Sequence, residues 1–248
     1  MNTAKTVYQL SAQATIGQIV SECNSAEGLL HSIGLKPEIH QDKTLRQVCT
    51  ELKWNEEEVL KWIKQRNHVL GDKFENGTES PKQLNELGLA EKCAHYFTTY
   101  HDTIFELLDD VNETLPRVNK VHGIQDHSLK ILNHQFKPFS DQLAMHMKFQ
   151  RNRYFKQLKK LEAEKNDVSD GVVQGLKKSI DIIREDQNEL NKRMDTFERV
   201  TSHFNLPEHS CSTYRIMMKN LEDLVGKIRE MNLEIENDLN QSVVEKLN

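Results

Sequence analysis

Residues 97–118 read FTTYHDTIFELLDDVNETLPRV. Within them Phe97, His101, Ile104, Leu108, Val111, Leu115 and Val118 recur at alternating steps of four and three. Residues so spaced share one face of an α-helix, and the charged residues between them fall on the other. The stretch therefore predicts a long amphipathic helix.

Working outward, the same period returns three times. Leu129, Leu132, Phe136, Phe139, Leu143, His146 and Gln150 carry it on toward Leu161, with a kink expected at Pro138. Val173, Leu176, Ile180, Ile183, Gln187, Leu190, Met194 and Phe197 form a third seam, and Tyr214, Met217, Leu221, Leu224, Ile228, Met231 and Ile235 a fourth. Loops are expected near Gly123, over 166–170 and at Leu206–Pro207. Four apolar seams joined by short loops predict an antiparallel four-helix bundle over 81–248. The fold class is all-α.

Upstream, residues 1–66 predict a small helical domain. The stretch Ala26 to Ile33 ends at Gly34, a helix C-terminal signal. After the turn KPEIHQDK, the stretches TLRQVCTEL and NEEEVLKWIKQ read as two helices. Asn55 caps the second, with carboxylates in its first turn. Residues 67–80, NHVLGDKFENGTES, are polar and contain glycine, and read as a linker before a helix start at Ser80–Pro81.

Composition agrees. The 248 residues include only 10 Gly and 5 Pro, few of the residues that punctuate β-proteins. A hydrophobic content of 37% suits long helices with solvated outer faces. The net charge of −5 gives no electrostatic footprint for nucleic acid. No secretory leader or membrane-length apolar run is present, so neither export nor membrane is expected, and the expected location is the cytoplasm. The four cysteines, Cys23, Cys49, Cys93 and Cys211, are scattered and form no CxxC pair. No phosphate loop, nucleophile triad or dinucleotide fingerprint is present, so nothing points to hydrolase, transferase or hydride chemistry.

The seams are not purely apolar. His101, His146, Gln150 and Gln187 sit on them. A buried polar group without a partner costs a few kcal/mol, so these groups must bond one another, water or a metal. Bundle cores are where facing helices assemble His and carboxylate metal sites. A hydrogen-bonded polar layer that fixes helix register satisfies the same sequence. Elsewhere, His127, His134, His203 and His209 read as surface or loop residues. The basic run KFQRNRYFKQLKK, residues 148–160, reads as a solvated helix face or as a contact for an acidic partner or nucleic acid.

The ordered motifs resemble the di-iron "repair of iron centres" family, which acts on iron–sulfur clusters. They are Tyr100–His101, Val121–His122–Gly123 with Asp126–His127, and Gln142–Leu143 with His146–Met147. His101 and His122 are 21 residues apart, and His122 and His146 are 24 apart, as in that family's pattern. Pro207 followed by Cys211-Ser-Thr-Tyr-Arg215 is similar to its last-helix signature. In the N-terminal unit Thr15-Ile-Gly17, Gly34 and Thr44-Leu45 through Cys49 match its short cysteine domain.

The departures bear on the chemistry. The family's adjacent cysteines after Gly34–Leu35 are replaced by Glu38 and Ile39. Its His-x-x-x-Glu ligand pair is here His146 and Gln150. The third-helix histidine is replaced by Asp186, after Glu185. The final His-x-x-x-Glu pair falls on Met231 and Ile235. A di-iron site needs about six to seven protein donors with bridging carboxylates, and both bridging glutamates are missing. The resemblance then implies at most one divalent metal, iron or zinc, on His101, His122 and His146, completed by Asp186 or water.

Three functions stay open. One is a divergent metal-binding stress protein acting on iron–sulfur proteins as partners, as the resemblance implies. Another is a metal-free interaction or regulatory module, with the N-terminal domain as docking unit. The third is a small-molecule sensor using a partly emptied core beside Met231 and Ile235. A homodimer is compatible with each.

Overall fold

A computed structural model describes residues 10–23, 25–75, 86–164, 169–208 and 210–243. Among them the regular structure is helical, and the β-type pairing is an isolated antiparallel bridge between Thr15 and Thr44. The chain forms two compact units, Met1–Ser80 with Leu206–Lys219, and Pro81–Asn205 with Asn220–Asn248.

The first unit opens with helices α1 (Ile16–Glu22), α2 (Ala26–Ser32), α3 (Leu45–Leu52) and α4 (Glu56–Glu75). Two start with reciprocal caps. The Thr15 and Thr44 hydroxyls accept from the backbone N–H groups of Gln18 and Gln47, whose side chains accept from the cap N–H groups in return. Each capping box satisfies two N–H groups that a helix start leaves unpaired. Asn55 caps α4 by accepting from Glu57 and Glu58 at 3.0 and 3.2 Å. At the end of α2, Gly34 takes φ +85°, and Leu35 N–H reaches back to the Leu30 carbonyl at 3.0 Å. That is the glycine-dependent helix stop read from the sequence. Ile16, Ile19, Leu30, Ile33, Leu45, Val48, Val59 and Ile63 close a common apolar core.

This unit differs from the expected division at two points. Residues 67–75 continue α4 rather than forming a linker. The single Gly71 costs a helix about 1 kcal/mol, which does not break it. The expected helix start at Ser80–Pro81 lies outside the described residues. In addition, Leu206–Lys219 groups with this unit rather than with the bundle. Ser212 Oγ accepts from Asn55 N–H at 3.0 Å, Thr213 donates to Glu58, and Ile216 enters the apolar core. The Arg215 guanidinium donates to the Ile33 and Ser210 carbonyls at 3.2 and 3.1 Å and lies over the Trp54 ring.

The second unit contains α5 (Leu89–Tyr96) and α6 (Asp102–His122), then α7 (His127–Phe149) and α8 (Phe155–Ala163), then α9 (Asp170–Val200), and most of α10 (Ser212–Glu234). Helix α6 packs on α7, α7 on α9, and α5 on α8. The seam residues named above are buried, with Phe97 and Val173 only partly so. Phe136, Phe139 and Phe197 knit α7 to α9, the last two edge to face at 4.9 Å. Pro138 lies on the exposed side of α7, and the helix continues through it to Phe149. No helix among the described residues is long and apolar enough to cross a membrane.

Candidate functional site

Three π-helical turns interrupt the long helices of the second unit: Phe97–His101, Gln150–Tyr154 and Ile235–Asn240. Each holds one of the positions singled out above: His101, Gln150 and Ile235. A π turn re-aims its side chains locally, and such turns gather at functional sites.

Between the first two runs a hydrogen-bonded chain. His101 Nε2 lies 3.1 Å from Gln150 Oε1. Gln150 Nε2 lies 2.8 Å from His146 Nε2. His146 Nδ1 lies 3.2 Å from Asp186 Oδ2. The amide fixes the proton positions. Its oxygen only accepts, so His101 carries its proton on Nε2. Its nitrogen only donates, so His146 Nε2 accepts and the neutral His146 ring carries its proton on Nδ1, donating to Asp186. His101 Nδ1 is then a buried acceptor without a partner. Burial pushes His101 from 6.5 down to about 4; the Gln150 bond opposes this, and the nearby charge of Arg151 adds to it. The His101 ring is stacked on Phe155 at 5.7 Å and tilted against Phe97 at 5.8 Å.

A second polar pair completes the layer. Gln187 Nε2 donates to Asn232 Oδ1 at 3.1 Å, beside Met231 on the next residue. Met231 and Ile235 are fully buried.

Sequence reasoning placed His101 and His146 correctly on the buried seams, but the three-histidine set is corrected. Helix α6 runs from Asp102 to His122. At ~1.5 Å rise per residue, His122 stands about 30 Å along the helix from His101. The two cannot share an ion. Asp186 does lie against His146, at the ring nitrogen that faces away from Gln150, a place from which a carboxylate orients an imidazole.

The residues present do not fit a di-iron pair. Gln150 offers one neutral oxygen where a bridging carboxylate would be needed, and its amide engages the Nε2 atoms of both histidines. Met231 and Ile235 are packing groups. Among the described residues no cluster of three or more His, Cys, Asp or Glu is placed to hold a metal.

Two features escaped sequence reading. Asn232 as partner of Gln187 had no signal, since it lies one residue off the apolar seam. The buried Lys92 donates to Asp238 at 2.6 Å and to Ser242 at 2.9 Å, and Tyr96 donates to the other Asp238 oxygen at 3.2 Å. Its only signal is the matched four-residue spacing of Lys92 with Tyr96 and of Asp238 with Ser242.

The comparisons with known proteins agree with this architecture. The family model of the hemerythrin HHE cation binding domain matches residues 94–242. Proteins named iron-sulfur cluster repair protein ScdA, from two strains of Staphylococcus epidermidis, are each 22% identical over 204 residues, covering 82% of this chain and 78% of theirs. The protein of that name from Staphylococcus haemolyticus is 25% identical over 132 residues, 53% of this chain and 56% of that one. With more than half its length matched by the family model, the chain belongs to the hemerythrin HHE cation binding family.

Proposed function

We propose that this chain serves iron–sulfur cluster repair as a hemerythrin-type protein whose bundle core has exchanged a metal pair for a hydrogen-bonded polar layer. The support for the repair role is the likeness to proteins named for it, over most of both chains. The support for the altered core is one observation: the Gln150 amide sits between His101 and His146 and bonds to both. A glutamate at that position would bring negative charge to offset two cations; an amide brings none. On this reading the protein contributes to repair by recognition or regulation, and its own core performs no iron chemistry.

Two measurements test the reading. Elemental analysis of protein purified without chelators or a polyhistidine tag is expected to find iron and zinc well below one per chain. Two tightly held irons per chain, with an oxo-bridge absorption band, would overturn the altered core. Recovery of iron–sulfur enzyme activity after peroxide stress is expected to be slower in cells lacking the chain and restored by supplying it. Equal recovery with and without it would overturn the repair role, whatever the metal content.

A further inference from the structure

The basic run at 148–160 has a place in the fold that the polar core does not use. A groove of about 470 Å³ opens between α5 with its following π turn and the Gln150–Tyr154 turn with α8. The half-buried Phe97 gives it an apolar wall, with the buried Phe155 behind, and Arg151, Lys156 and Lys159 stand along it. Phe155 and Lys159 are four residues apart on α8, and Arg151 reaches the same groove from the π turn before it.

Charge and shape agree on the occupant. In a chain of net charge −5, none of these three cations has an ion-pair partner among the described residues. The Arg151 guanidinium lies 4.6 Å from the centre of the Phe97 ring, which holds it over the apolar wall. The volume is that of a site for a drug-sized molecule, and such sites pair an apolar lining with a few placed polar groups. We propose that this groove binds a small organic anion: an apolar body along the Phe97 side of the groove, with a carboxylate or phosphate held by Arg151, Lys156 and Lys159.

Cys93, in the floor, is no nucleophile in this site. Burial pushes its thiol up to about 12, so it stays protonated and the binding is non-covalent. Behind the wall, Phe97 and Phe155 are the rings that enclose His101. An occupant would therefore lie one ring away from the polar layer. The proposal does not depend on whether that layer holds a metal.

The test is calorimetric titration of the full chain with 2-naphthoate, 1-naphthyl phosphate, 2-naphthamide and inorganic phosphate. One of the two aromatic anions is expected to bind saturably at one per chain, and the tighter one identifies the preferred head group. The Arg151→Glu/Lys159→Glu variant is expected to bind it roughly tenfold more weakly or worse. The Lys130→Glu/Lys177→Glu variant, with the same change of charge away from the groove, is expected to bind it as the unaltered chain does. Both pairs are exposed, and circular dichroism checks that each variant is folded. No saturable binding, binding of the uncharged amide as tight as that of the anions, binding of inorganic phosphate as tight, or equal weakening in both variants would each overturn the proposal.

Discussion

Asp186 meets His146 on the ring nitrogen that faces away from Gln150, at 3.2 Å, so the imidazole is held from both sides. The carboxylate is about one-third exposed while the ring is buried. The chain Asp186–His146–Gln150–His101 therefore runs from the edge of the bundle inward and ends on an acceptor with no partner, His101 Nδ1. That inner end governs the first prediction.

His101 has its folded pKa lowered from 6.5 to about 4, chiefly by burial. Above pH 6.5 the ring is neutral both folded and unfolded, and pH has no purchase on it. Between 6.5 and about 4 the unfolded chain takes up a proton that the folded chain refuses. Stability therefore falls as pH falls through that window, by on the order of 3 kcal/mol in all. Urea unfolding at a series of pH values is expected to show this loss in the unaltered chain, over and above that in His101→Phe. Parallel pH profiles for the two proteins would mean that His101 is not a neutral buried ring.

Ile235 tests whether packing has replaced coordination on the last helix. The residue is fully buried on its π turn. Ile235→Glu places an unpaired carboxylate there, and is expected to destabilise the protein by several kcal/mol in a chemical melt. Adding Gln150→Glu and Met231→His should make the stability respond to ferrous iron or zinc, because bound metal stabilises only the folded state. An unchanged melt for Ile235→Glu alone would mean that position 235 faces water.

The outcome for His122 shows where sequence reading stops. The bundle was legible because apolar steps of three and four report a helix face directly, and His101 and His146 fell on the right faces for the same reason. Sequence separation, however, carries no distance until the chain between two residues has a shape. Twenty-one residues can fold back or can run straight, and within α6 they run straight. Asp186 lay beside the seam residue Gln187, so its nearness to His146 was legible, but not the nitrogen it would meet. The grouping of Leu206–Lys219 with the first unit was hidden because α10 keeps one helical period throughout. What separates its first turns is what Ser212, Thr213 and Arg215 touch.

Gly34 and Arg215 test that grouping. A Cβ on Gly34 would lie 2.8 Å from Arg215 Nη1, and the φ of +85° is itself unfavourable for a side chain. Gly34→Ala is expected to cost about 1–2 kcal/mol for the backbone alone, with a further loss as the guanidinium leaves the Ile33 carbonyl and the Trp54 ring. Arg215→Met removes the clash along with those contacts. In the double variant the Gly34→Ala penalty should shrink toward the backbone part. A double-mutant cycle by urea unfolding reads the difference. Strict additivity would separate the two residues.

Lys92 and Asp238 form a buried ion pair in the second unit, with side-chain exposures of 4% and 19%. Removing two charges from water is expensive, and such a pair holds only while each charge has its partner. Lys92→Met strands the Asp238 carboxylate, which keeps the Tyr96 hydroxyl at 3.2 Å but loses its counter-charge. The expected loss is roughly 3–5 kcal/mol. Asp238→Leu added to Lys92→Met removes the stranded charge, and the pair of apolar side chains should recover most of that loss. The informative comparison is therefore the double variant against Lys92→Met in chemical denaturation at neutral pH. If the double variant is less stable than Lys92→Met, the carboxylate holds the fold through Tyr96 rather than through the lysine, and Tyr96→Phe would then show the larger effect.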